Sequence, residues 1–353
     1  MAAKKTSKKP SFAIQGRKIG PDFAPFVIAE IGINHEGSMA KAKRMIRDAK
    51  AAGAECVKFQ IHVVADEMSH EAKKVIPGHT KESIYEIIER CALTESQDRE
   101  IKRYVEKLGM IYLATPFSRA AADQLHRMNV SAYKIGSGET NNYPLIEHIA
   151  RFKKPVILST GMNTIKTIRP AVQILRKHKV PFAILHCTNI YPTPYKDVRL
   201  GGLTEIQKAF PDVVTGLSCH SLGIYTGFAA VAMGGSIVEK HFTSDKAWPG
   251  PDVALSIDPR ELKALIHGSR AIWEARGGKK EAAKGEAPTI AFAFASVVSI
   301  APIKKGERFS TKNLWVKRPG TGEIMAVDYE KLLGKRARRD ISSDVQLKRA
   351  DIA

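Results

Sequence analysis

The stretches VVTGLSCHS (residues 213–221) and SIVEKHF (236–242) decide how this chain is read. Each is a short run of β-branched and apolar residues closing on a histidine, His220 and His241, and each takes its place in a strand-then-helix repeat. Working outward, six earlier segments have the same form. They are VIAEIG from Val27, CVKFQ from Cys56, IYLATP from Ile111, AYKIGSG from Ala132, VILST from Val156 and FAILHC from Phe182. Helical spacing follows them. Met39 to Ala52 carries Ala42, Met45, Ile46 and Ala49 on one stripe, and Leu93 to Leu108 opens on Thr94 as N-cap with Gln97 three residues on. Strand then helix, repeated, implies a parallel sheet with crossover helices. Eight repeats in about 240 residues predict a closed α/β fold, a (β/α)8 or TIM barrel, rather than an open doubly wound sheet. No GxGxxG follows the first strand, which weakens the dinucleotide-binding alternative.

Barrels of this kind carry their chemistry at the C-terminal ends of the strands. Those ends deliver Glu30, Lys58 with Gln60, Thr115, Lys134 with Ser137, Ser159, Asn189, Ser218 with His220, and His241. A lysine inside an apolar strand costs too much to bury unpaired, so Lys58 and Lys134 must meet an anion. That anion is either a ligand or an internal carboxylate, with Glu30, Glu139 and Glu239 as candidates. The same lysines admit a Schiff-base aldolase reading. The two imidazoles suit a divalent ion acting as Lewis acid, against the plainer alternative of packed strand-end residues.

Composition bounds the rest. The chain has 353 residues, 44% hydrophobic and 26% charged, with no apolar run near the ~18 residues of a membrane span. MAAKKTSKKPS at the start is basic and lacks the apolar core of a secretory signal, so residues 1–20 are expected to form a disordered tail. The barrel is expected over 21–276 and a linker over 277–287, within the Gly-, Lys- and Ala-rich ARGGKKEAAKGEAPT. Residues 288–353, with apolar runs broken by Gly and Pro turns, read as a small β-rich domain. Four cysteines (Cys56, Cys91, Cys187, Cys219) lack paired spacing and read as reduced thiols of a cytoplasmic protein. The net charge of +20 is spread along the chain without an aromatic-interleaved stripe or a helix-turn-helix. That argues against a nucleic-acid partner and for attraction of anionic metabolites.

The motifs AEIGINHEGS (29–38), KFQ (58–60), ATPFS (114–118), YKIGSGE (133–139), LSTGM (158–162), HCTNIYPTP (186–194), GLSCHS (216–221), EKHFT (239–243) and PGPD (249–252) follow one another in order. Together they resemble the sialic acid synthase family, the phosphoenolpyruvate-dependent synthases of nine-carbon α-keto acid sugars. The likeness runs from about Phe26 to the C-terminus and looks most like the branch making N-acetylneuraminate or its legionaminate relatives. It implies condensation of phosphoenolpyruvate with an N-acylated hexosamine aldehyde and water, releasing phosphate. It implies a phosphoenolpyruvate pocket of Lys58, Thr115, Lys134, Ser137, Ser159, Asn189 and Ser218, and sugar contacts from Gln60, Tyr191, Asp252 and Arg318. His220 and His241 would hold Mn or Mg, with Co also suitable. Glu139, then Glu30, are the candidates for acid/base work, with sugar hydroxyls or a lysine as their alternative partners. Asn34 and His35 read as turn-formers.

The tail module, with KKGE and NLWVKRPGTG, resembles the family's antifreeze-like (SAF) domain. In the family this domain caps the partner subunit's active site in an exchanged homodimer and carries one arginine to the N-acyl group, here Arg318. Phe292 and Phe294 could line the lid or pack in the core. One departure stands out: the family's usual Asp between the matching Ser and His is Cys219 here. Strand alternation turns Cys219 away from Ser218 and His220, which leaves open what orients the His220 ring. The acceptor (N-acetylmannosamine, its 6-phosphate, or a di-N-acylated trideoxy sugar) stays open, as does an inactive sugar-binding regulator.

Overall fold

The computed structural model describes residues 9–77 and 82–353. All eight segments form strands: β1 (Phe26–Gly32), β2 (Cys56–Ile61), β3 (Ile111–Pro116), β4 (Tyr133–Ile135), β5 (Val156–Ser159), β6 (Phe182–Cys187), β7 (Val214–Cys219) and β8 (Ile237–His241). They lie in the order β3-β2-β1-β8-β7-β6-β5-β4, every ladder parallel. β3 and β4 sit side by side at the seam without a ladder, so the sheet is a nearly closed TIM barrel.

Alternation along the strands sorts the side chains. The inward set begins with Phe26, Ile28, Cys56, Ile111, Leu113, Ile157, Leu185, Val214 and Ile237, which form one buried cluster in the lower barrel. Two residues further along the same faces stand the polar ones: Glu30 after Ile28, Lys58 after Cys56, Thr115 after Leu113, Ser159 after Ile157 and Glu239 after Ile237. Register brings them level. Glu30 pairs with Lys58 and with His241, Gln60 with Thr115, and Ser218 with Glu239 and Cys187. The outward faces pack under the helices in a larger apolar cluster, including the Ala42, Met45, Ile46 and Ala49 stripe of the helix Met39–Ala51. The helix Glu95–Lys107 opens on a capping box between Thr94 and Gln97, as the spacing predicts.

The tail expectation needs correcting. Residues 1–8 lie outside the described residues, but Phe12–Ile14 and Arg17–Ile19 pair as an antiparallel hairpin. Gln15 and Gly16 turn it at φ 48° and 80°, the positive values a two-residue hairpin turn requires. Ile14 and Ile19 are 1% and 0% exposed and belong to the lower-barrel cluster, so the hairpin plugs the barrel floor. Burying each isoleucine is worth ~1.5–3 kcal/mol. That outweighs the polarity of the flanking lysines, which is what the composition of the tail reports.

The chain divides into two compact units, one through Gly277 and one from Gly278 to Ala353. The second has its own core around Val297, Ile303, Phe309, Leu314 and Leu347. Ser296–Ser299 and Leu314–Lys317 pair antiparallel within it. Its first element is helical, a short turn at Lys284–Glu286 leading into Ala287–Ala293, so structure begins inside the segment read as linker. Phe292 and Phe294 stand 62% and 53% exposed and are not core residues.

Candidate active site

The polar layer at the top of the barrel surrounds a cavity of about 110 Å³. Glu30, Lys58, Gln60, Thr115, Lys134, Ser137, Ser159, Asn189, Tyr191, Ser218, His220 and His241 all line it. Cys187 and Glu239 line it as well, and Phe117, Gly136 and Gly138 close the wall.

At its centre the two lysines converge on carboxylates. Lys58 Nζ lies 2.8 Å from Glu30 Oε1 and donates to Thr115 Oγ1 at 2.9 Å. Lys134 Nζ donates to Ser159 Oγ at 2.7 Å. Both reach the same oxygen, Glu239 Oε1, at 3.8 and 3.5 Å, and Ser218 Oγ donates to it at 3.2 Å. Each buried ammonium therefore meets an internal anion, and the four groups balance in charge. Burial raises Glu30, against the pull of Lys58. Burial also opposes the charge on Glu239, but the two lysines outweigh it and hold that carboxyl below its usual range. Lys58 is raised because Glu239 and Glu30 outweigh its burial, whereas burial leaves Lys134 below the ordinary lysine value. Glu30 Oε2 and Glu239 Oε2 are buried without a hydrogen-bond partner, so the layer retains acceptor capacity.

The histidines stand on the adjoining strand ends with ring centroids 5.4 Å apart. Burial lowers the pKa of both, which keeps the imidazoles neutral, the form that binds metal. His220 Nδ1 is 2.8 Å from the Thr188 carbonyl, an arrangement in which Nδ1–H donates and Nε2 keeps its lone pair. His241 Nδ1 is buried without a hydrogen-bond partner, its nearest carboxylate oxygen being Asp252 Oδ2 at 3.5 Å. This donor set fits a divalent ion held by two protein nitrogens and completed by water and substrate. No group of three or more ligating side chains occurs among the described residues.

Other predicted residues are placed as follows. Gln60 Nε2 donates to Glu30 Oε1 at 3.0 Å, and Tyr191 packs on the His220 ring at 4.2 Å between centroids. Asn189 Nδ2 donates to the Tyr191 hydroxyl, and Ser137 Oγ accepts from the Gly161 amide at 2.9 Å. A Cβ at Gly161 would sit 1.8 Å from Asn189 Oδ1, so any larger residue there would push the Asn189 side chain out of the site. Asp252 is buried beside His241, and burial pushes its carboxyl up to about 6. Asn34 Oδ1 accepts from the Asp252 amide while Nδ2 donates to the Phe242 carbonyl, a bracket between loops rather than a ligand. Glu139 does not join the central layer. It lines a neighbouring groove, with Oε2 accepting from Asn142 Nδ2. Arg318 belongs to the second unit, exposed one residue after the strand Leu314–Lys317.

Cys219 points out of the barrel wall, as alternation predicts. Its Sγ lies 2.9 Å from Thr226 Oγ1, 3.1 Å from Ser221 Oγ and 3.9 Å from Lys240 Nζ. The Thr188 carbonyl, not residue 219, orients His220, and a backbone carbonyl has no signature in sequence. Glu239, a candidate anion for the buried lysines in the sequence, does meet both of them, but it was not assigned to the substrate site. Cys187 was not singled out for the site either, although the inward sets Ile237, Glu239, His241 and Ala183, Leu185, Cys187 made both legible.

Comparison with known proteins bears on this geometry. The chain is 38% identical over 327 residues to the N,N'-diacetyllegionaminic acid synthase of Campylobacter jejuni, covering 90% of this chain and 97% of that protein. It is 38% identical over 265 residues to the human N-acetylneuraminate-9-phosphate synthase, 74% of each. Its fold is similar to the crystal structure of N-acetylneuraminic acid synthetase from Leptospira borgpetersenii, with a TM-score of 0.74 at 30% identity, covering 80% of this chain and 95% of that one. The NeuB family model matches residues 45–281 and the SAF domain model residues 294–353. The chain belongs to the NeuB family and carries a SAF domain at its C-terminal end.

Proposed function

We propose that this protein condenses phosphoenolpyruvate with an N-acylated hexosamine aldehyde and water, giving a nine-carbon α-keto acid sugar of the sialic acid type and phosphate. The observation that carries this reading is the convergence of Lys58 and Lys134 with the Thr115, Ser159 and Ser218 hydroxyls, level with two neutral imidazoles. Two compact cations amid hydroxyl donors suit a ligand bearing a carboxylate and a phosphate.

In the reaction the methylene carbon of phosphoenolpyruvate bonds to the aldehyde carbon, whose oxygen takes a proton. Water adds at the neighbouring carbon and gives one up, and the carbon–oxygen bond to phosphate then breaks to leave the ketone. Lys58 and Lys134 hold the carboxylate and phosphate while the hydroxyls fix their orientation. Glu30 is the favoured proton carrier: it lies in the central layer, burial raises its pKa, and Oε2 is unpaired. Glu139 suits the acceptor sugar instead. A divalent ion, Mn or Mg, held by His220 and His241 would supply the Lewis acid that polarises the aldehyde. Gln60, Tyr191 and Asp252 would grip the sugar.

The depressed Lys134 amine favours a second reading, a Schiff-base aldolase. Borohydride with pyruvate would trap an imine on that enzyme and none on a condensing synthase. Aldehyde-dependent phosphate release from phosphoenolpyruvate is the direct test of the first reading. Its absence with every N-acylated hexosamine would leave the inactive regulator standing.

For assembly, the favoured arrangement is a two-fold dimer in which Arg318 of the partner subunit completes each site. Mixing Arg318→Ala with His241→Ala chains should then restore part of the activity, because one barrel in the mixed dimer is intact and correctly capped. Mixed dimers without activity would refute the exchange. No helix among the described residues is long and apolar enough to cross a membrane, and all four cysteines are free thiols. Both features suit a cytoplasmic setting.

A further inference from the structure

The cavity is too small for a hexosamine besides phosphoenolpyruvate, so the acceptor must extend into an adjoining groove. One such groove, of about 910 Å³, opens over the ends of β2 to β4 and shares Phe117 and Gly138 with the cavity wall. It contains Glu139, and it connects to the central layer by hydrogen bonds, Glu67 to His62 at 2.7 Å, His62 to Gln60 at 3.2 Å, and Gln60 to Glu30.

Its chemistry is selective. Among the described residues, three carboxylates, Asp66, Glu67 and Glu139, face it against one guanidinium, Arg119, and the His148 imidazole, which Asp123 already holds at 2.7 Å; Val75 and Ile84 add apolar surface. The helix Arg119–Arg127 begins there, and a helix start is a ready anion site. This one is already filled from within: the Ala120 amide donates to Asp66 Oδ2 at 2.7 Å and the Ala121 amide to Ser118 Oγ. In a second groove, meeting the cavity at Tyr191, the guanidinium itself is engaged, Arg90 donating to Glu36 and Glu82.

We propose that the groove over β2 to β4 receives the far end of the acceptor and takes it uncharged. The acceptor class is then an N-acylated hexosamine bearing hydroxyls or a second acylamino group at that end, not a phosphate ester. Carboxylates accept from hydroxyl and amide N–H groups, acyl methyls lie against Val75 and Ile84, and a phosphate dianion is repelled.

This inference rests on the condensation reading, and the experiment separates the two. Phosphate release by the full-length protein is measured with N-acetylmannosamine, its 6-phosphate and a di-N-acetylated trideoxyhexose. One of the two uncharged sugars should exceed the 6-phosphate in kcat/KM by roughly a hundredfold, as expected for like charges set together. Asp66→Asn, which removes a charge and frees the Ala120 amide, should narrow that ratio about tenfold. The ratio is internal to each protein sample, so partial misfolding does not affect it. Preference for the 6-phosphate overturns the inference, leaves condensation standing and points to the remaining groove, where Arg199 lies. A ratio untouched by Asp66→Asn also overturns it. No phosphate release with any sugar removes the condensation reading and this inference with it.

Discussion

Glu239→Gln isolates the electrostatics of the central layer. The carboxylate lies 3.5 Å from Lys134 Nζ and 3.8 Å from Lys58 Nζ, with a side chain only 7% exposed. In an effective dielectric of about 20, each contact is worth ~4–5 kcal/mol of Coulomb energy. Desolvation of the three groups offsets much of that. Removing one partner of a buried pair, which strands the others, costs ~3–5 kcal/mol, and the variant should lose that much stability in urea unfolding at pH 7.5. Because the lysines hold Glu239 below its usual pKa, its contribution is present above the unfolded value near 4.5 and lost as pH falls through the folded value. The deficit should therefore shrink on acidification. Phosphoenolpyruvate brings a replacement anion, so at one fixed ligand concentration the variant should recover more stability than the wild type gains. Saturation at a hundred times Kd supplies ~2.7 kcal/mol. A variant within ~0.5 kcal/mol of wild type, the ordinary effect of an inconsequential substitution, would refute the reasoning, as would a smaller gain from phosphoenolpyruvate.

Three further outcomes are expected. Chelation should abolish phosphate release and Mn or Mg restore it, while His241→Ala should lose Mn binding measured by calorimetry; a variant that binds Mn as wild type does would remove this histidine from the ligand set. Cys219→Asp should shift metal affinity by less than the roughly tenfold at which direct orienting partners begin to matter, because Thr188 orients His220 and the new carboxylate would face Lys240; a larger shift would contradict that placement. Asp98, buried and accepting from Gln124, is pushed up to about 7 by burial. A raised carboxyl contributes its full stability below the unfolded value near 3.8 and loses it as pH rises through about 7, here up to ~4 kcal/mol. Asp98→Asn should flatten the stability profile across that window, and parallel profiles would count against the shift.

The barrel was legible because parallel strands buried on both faces leave near-continuous apolar runs, and a polar residue breaking such a run had to lie at the rim. Lys58, Lys134, His220 and His241 came out that way. What escaped was whatever depends on contacts between distant segments. The hairpin at residues 12–19 is a weak local signal, two isoleucines around Gln-Gly, and only the barrel floor gives it a place to bury them. Glu139 follows the Ser137-Gly138 turn in sequence, yet the short 3-10 helix Gly138–Asn141 carries it into the next groove. At Lys284–Ala287 the Gly- and Lys-rich composition suggested linker, yet a helical turn at Lys284–Glu286 leads directly into the helix Ala287–Ala293, with Pro288 in its first turn.

The most direct measurement of the chemistry follows one oxygen atom. Phosphoenolpyruvate labelled with 18O at the bridging oxygen is turned over with an acceptor sugar, and the phosphate and keto acid are weighed by mass spectrometry. Water addition at the carbon next to the methylene, followed by loss of phosphate, breaks the carbon–oxygen bond, so every label should leave with phosphate. Label retained in the keto acid would mean cleavage at phosphorus, and would contradict the condensation assigned to Lys58, Lys134 and their neighbours.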